Sequence, residues 1–174
     1  MNCGQFLNKK SYTLTKVADK PWGWLWNVTE YEVKTFGLLW QAADGLQVKP
    51  FPEYISDGCS TPPPMWNMPS LDPDRFLLTG LFHDGGCKYG GLLIKDVCEK
   101  EFTFRRLTRL DLDNYLRLWV GAEGGNAVQR WLYYRGVRMG APFMRFPGIR
   151  YWDETEGPKP PARLDMSVLP IALA

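Results

Sequence analysis

The chain has 174 residues, 45% of them hydrophobic and 23% charged, with 21 Lys and Arg against 19 Asp and Glu and a net charge of +2. That balance excludes a disordered chain and a dedicated nucleic-acid binder with a concentrated basic stripe, and the length suits one domain burying roughly two thirds of its unfolded surface. No apolar run approaches the ~18 residues of a membrane span or builds a signal-peptide core at the N-terminus, so a soluble chain made in the cytoplasm is expected.

The first half alternates and turns. Tyr12 to Val17, Trp22 to Trp26 and Thr29 to Val33 show period-2 patterning rich in β-branched and aromatic residues, which predicts strands. Asp44-Gly45, between Phe36 to Gln41 and Leu46 to Val48, signals a hairpin because glycine accepts the positive φ of a tight turn. Residues 12 to 56 should therefore form a small antiparallel sheet.

From Ser60 to Pro73 five prolines forbid regular helix or central strand. Asp72-Pro73-Asp74 then supplies an N-cap, a proline at the first helical position and an early acid. This predicts a helix running through Phe76, Leu77, Leu81 and His83 and ending at Gly85 and Gly86. The stretch from Gly85 to Leu107 is long enough to return a second helix antiparallel beside the first.

Thr108, with Asp111 three residues on, opens that second helix. Leu112, Tyr115, Leu116, Trp119 and Val120 form its apolar stripe, and Gly121 to Gly125 end it. A third helix is expected from about Asn126 to Met139, with Gly140 at its C-terminus. The fold class is α+β: an N-terminal antiparallel sheet with three helices packed on it, one domain over residues 1–146, then a proline-rich extension over 147–174. Four cysteines, at 3, 59, 87 and 98, form no C-x-x-C pair, so free thiols are expected.

His83 is the only histidine, and it is the candidate general base. Asp113, one turn into the second helix, borders an apolar stripe where an acid is costly to bury unless a donor meets it. The spacing predicts a hydrogen bond between the two, with Arg109 as the competing donor. Ser60 is a candidate nucleophile or donor, and Asp57 and Asp84 are candidate ligands of Ca2+ or another divalent cation. Asx and Ser turns account for Asp57 and Ser60 without any chemistry.

Four segments stand in order: Asp57-Gly58-Cys59-Ser60-Thr61-Pro62, His83-Asp84, Arg109 with Asp113, and Trp131, Tyr134, Val137 and Arg138. In this the chain resembles the phage and prophage domain of unknown function numbered 1353, whose pattern is D-G-x-S-x-P, H-D, R-x-x-x-D and W-x-x-Y-x-x-V-R. The resemblance covers roughly residues 25 to 141 and implies a phage-encoded protein made in the host cytoplasm, without implying an activity. That pattern has no cysteine at the positions of Cys59 and Cys87, which argues against a Cys/His zinc site. The run from His83 to Tyr89 also resembles the His-Asp segment of secreted phospholipases A2. There a histidine activates water, the adjacent aspartate holds calcium and an aspartate on a second helix orients the histidine.

Two functional expectations follow. One is a small hydrolase acting on an ester, amide or phosphoester during phage entry or lysis, with His83, Asp113 and Ser60 as its machinery. The other is a non-catalytic virion or host-interaction protein, in which the same polar residues lock helices to sheet. Its exposed aromatics and C-terminal tail would then contact other phage proteins or a host factor.

Overall fold

The structure, a computed structural model, describes residues 3–22, 26–56 and 76–143. The chain is α+β. Strands β1 (Gln5–Leu7), β2 (Tyr12–Trp22), β3 (Trp26–Thr35), β4 (Leu39–Gln41), β5 (Gln47–Lys49) and β6 (Glu53–Ser56) precede helix α1 (Leu77–Tyr89). Strands β7 (Gly91–Lys95) and β8 (Thr103–Arg106) follow, then helices α2 (Arg109–Ala122) and α3 (Ala127–Phe143).

The strands form two antiparallel sheets, one ordered β1-β4-β5-β7-β8 and the other β2-β3-β6. The Asp44-Gly45 hairpin joins β4 to β5 as its composition predicts, with Trp40 opposite Val48 and Gly45 at φ 93°. The β7-β8 hairpin occupies the stretch read as connection between the first two helices. Leu92, Leu93 and Ile94 are all buried there, so the strand shows no alternation to read.

Side chains alternate across the five-stranded sheet. Its inner face carries Phe6, Trp40, Val48, Leu92 and Ile94, all buried. Phe82 of α1 meets Phe6 edge-on at 5.2 Å, and Trp119 of α2 meets Trp40 at 6.3 Å and Phe82 at 5.3 Å. Helix α3 completes the layer by packing on α2 and sets Tyr133 edge-on to Phe76 at 5.0 Å.

Gly85 and Gly86 do not end α1. The helix passes through both and stops at Gly90, a left-handed C-cap with φ 67°. The reason is close packing: a Cβ at Gly85 would lie 3.2 Å from the Tyr54 ring, and one at Gly86 would lie 2.5 Å from Leu112 Cδ2. Small residues let α1 approach β6 and α2 together, which outweighs the roughly 1 kcal/mol that each glycine costs a helix. His83 is thus mid-helix. Asp72, expected as N-cap, lies outside the described residues. Among those described, the first turn of α1 is held from elsewhere: the Glu123 carboxylate accepts from Leu78 N, Thr79 N and Thr79 Oγ1 at 3.2, 2.8 and 2.6 Å.

Helix α2 begins as expected. Thr108 Oγ1 accepts from Asp111 N at 3.1 Å, and Asp111 Oδ2 accepts from Thr108 N at 2.9 Å. Helix α3 opens on a similar reciprocal pair between Asn126 and Gln129, and runs one turn beyond Gly140. The proline-rich extension lies outside the described residues.

Candidate functional site

Helix α2 brings Asp113 to the buried side of its stripe, between Leu112 and Leu116, and α1 presents His83 to it. The imidazole Nε2 donates to Asp113 Oδ1 at 2.9 Å across thirty positions of sequence. Asp113 is 0% exposed and His83 6%. Arg109 does not displace the histidine but joins it, donating from Nε to the same oxygen at 2.9 Å, and Arg138 of α3 donates from Nη1 to Oδ2 at 3.3 Å. One carboxylate thus gathers donors from three helices.

The other ring nitrogen, Nδ1, faces Asp84 Oδ1 at 3.9 Å, an ionic approach too long for a hydrogen bond. Asp84 accepts instead from Ser56 Oγ of β6 at 2.6 Å. Cys87, one turn beyond His83, sets its Sγ 3.9 Å from Nδ1 and 3.8 Å from Nε2. Near-equal distances to two nitrogens mean that the sulfur lies along neither lone pair. Tyr54 closes this end of the site by donating from Oη to the Leu81 carbonyl at 2.7 Å.

Burial opposes a charge on His83, yet Cys87, Asp113 and Asp84 together hold its pKa well above the ordinary 6.5. Burial also works against the Asp113 carboxylate, but His83 and Arg109 hold it below the ordinary 3.8. The pair is therefore a salt bridge around neutral pH. A histidine raised on folding stabilises fully below about pH 6.5, and the gain disappears as pH rises through its folded value. A lowered aspartate stabilises fully above about pH 3.8, and the gain disappears as pH falls through its folded value. The stability lost in His83→Gln should be largest between about pH 4 and 6.5 and shrink on the alkaline side. Urea midpoints of both proteins across pH would check this, and a constant difference would mean that the histidine is neutral throughout.

Of the residues singled out in sequence, His83 and Asp113 meet, and Asp84 stands beside them. Ser60 and Asp57 lie outside the described residues, as does Cys59. Ser56, Cys87 and Arg138 also belong to the cluster, Arg138 being the last residue of the W-x-x-Y-x-x-V-R segment. Cys87 and Cys98 are free thiols, and Cys3 Sγ accepts from Arg130 Nη1 at 3.0 Å. Among the described residues, no group of three or more His, Cys, Asp or Glu could hold a metal ion, and no helix is long and apolar enough to cross a membrane.

No protein-family model, curated protein or solved structure matches this chain.

Proposed function

We propose that this is a phage- or prophage-type protein, a virion component or host-interaction factor, in which the His83 centre ties the helical layer together rather than performing chemistry. The observation that carries this is the convergence on Asp113. Residues from three separate sequence motifs, His83, Arg109 and Arg138, all donate to one carboxylate that has no exposed surface. A base must be neutral to accept a proton, whereas Cys87, Asp113 and Asp84 push the pKa of this imidazole up and so favour its charged form. A partner surface is offered by Val128 and Trp131, neighbours on one face of α3 that are 63% and 53% exposed, with Arg135 5.7 Å from the indole ring.

A second reading, the hydrolase, is favoured by one feature. With Nε2 fixed by Asp113, Nδ1 is left on the side of Asp84, whose side chain is partly exposed. Asp57 and Asp84 would then serve a divalent cation, and Ser60 would serve as nucleophile or donor.

Asp113→Asn separates the two. Under the structural reading the variant loses about 1.5–3 kcal/mol of stability, as expected for a charge-assisted hydrogen bond, and no hydrolytic activity is at stake. Under the hydrolase reading, ester or phosphoester turnover by the wild-type chain, with and without Ca2+, disappears in the variant although it remains folded. Turnover of that kind would overturn the structural reading.

A further inference from the structure

The outer face of the five-stranded sheet carries a different set of groups. Gln47 stands directly opposite Lys95, and Lys49, two residues along β5, lies on the same face. Both ammonium groups converge on one ring: Lys49 Nζ is 4.2 Å and Lys95 Nζ 5.6 Å from the centroid of Phe102, which leads into β8. Among the described residues, neither lysine has a carboxylate within ion-pairing distance, and the Gln47 amide has no hydrogen-bond partner.

Of the three acids of the β7-β8 turn, Asp96 and Glu99 are engaged elsewhere, and Glu101 is exposed and forms no ion pair with Lys49 or Lys95 among the described residues. Glu99 accepts from Arg105 Nη2 at 2.9 Å and from Asp96 N at 2.8 Å, and Asp96 accepts from Val97 N at 2.8 Å. Two like charges are thus gathered beside an apolar ring without a counter-charge. Burial, then the neighbouring Lys95, lowers the pKa of Lys49, the cost expected of such a placement. The Phe102 ring offsets part of that cost through its negative face, but it cannot neutralise two cations. An anion between them would reverse the repulsion and meet donors on three side chains.

We propose that Lys49, Lys95 and Gln47, over the Phe102 ring, bind an oxyanion of the phosphate class. The ammonium groups supply the charge and the Gln47 amide a directional donor. The site lies across the sheet from His83 and is independent of it.

The test is thermal unfolding of the full chain in inorganic phosphate against sodium chloride at matched ionic strength. At about ten times the midpoint of the phosphate titration, the wild-type protein should gain roughly 3–6 °C. Lys49→Gln and Lys95→Gln should each abolish that gain, and in chloride alone at low salt each should melt at or above the wild-type temperature, because a repulsion has been removed. Lys100→Gln, an exposed lysine on the adjoining turn, should keep the full response. A short oligothymidylate forms a second arm: a Lys49- and Lys95-dependent gain seen only with it would assign the phosphate to a nucleic-acid chain instead of a free anion. No gain in either arm, or equal gains in wild type and both glutamine variants, would overturn the proposal.

Discussion

Asp113→Leu is expected to lower stability by about 3–5 kcal/mol, well beyond the effect of Asp113→Asn, because it removes the buried carboxylate that His83, Arg109 and Arg138 all meet. The asparagine keeps an oxygen for His83 and Arg109 to address. The leucine takes from an imidazolium that is 6% exposed, and from the guanidinium beside it, the carboxylate that both address. Part of the loss should return when His83 is also replaced by an apolar residue, since the stranded charge is then gone. Urea unfolding of the two single variants and the double variant gives the cycle. Strict additivity would mean that the two side chains do not interact in solution.

Gly91→Ala should cost roughly 2–3 kcal/mol, the upper part of the range for overpacking a core. Gly91 opens β7 opposite Arg106, and a Cβ there would overlap the Arg105 carbonyl oxygen and come within 2.7 Å of the Phe104 ring. A side-chain tip can rotate away from such a contact, but a carbonyl in the neighbouring strand moves only if the β7-β8 ladder opens. A denaturation midpoint equal to that of the wild type would show that the hairpin is not packed this tightly.

The same kind of contact explains what the sequence did and did not reveal. The meeting of His83 and Asp113 was legible because each lies on a helix whose apolar period is clear, and because an acid on a buried stripe demands a donor. Thr108 and Asp111 were legible as a cap for a purely local reason. Gly85 and Gly86 read as a helix terminus because the approach of Tyr54 and Leu112, which makes them necessary inside α1, is tertiary and leaves no local mark. The strand at Leu92 to Ile94 was hidden for a related reason. Phe104 is opposite Leu93, and Phe51 packs on Phe104 at 5.8 Å, so the outer face of the sheet is covered there and the polar half of the alternation is missing. Arg138 stood in the quoted motif, but nothing local tied it to Asp113.

Helix α1 touches both sheets, and this sets how the molecule comes apart. On one side Tyr54 of the three-stranded sheet bonds its Leu81 carbonyl and packs on Gly85, and on the other His83 and Gly86 lock onto α2. On the α2 side the buried ring of Phe82 also meets Trp119 at 5.3 Å, so parting α1 from α2 exposes it. The small sheet, α1 and α2 therefore form one cooperative opening unit, and a shared amide-protection free energy across β6, α1 and α2 is its signature.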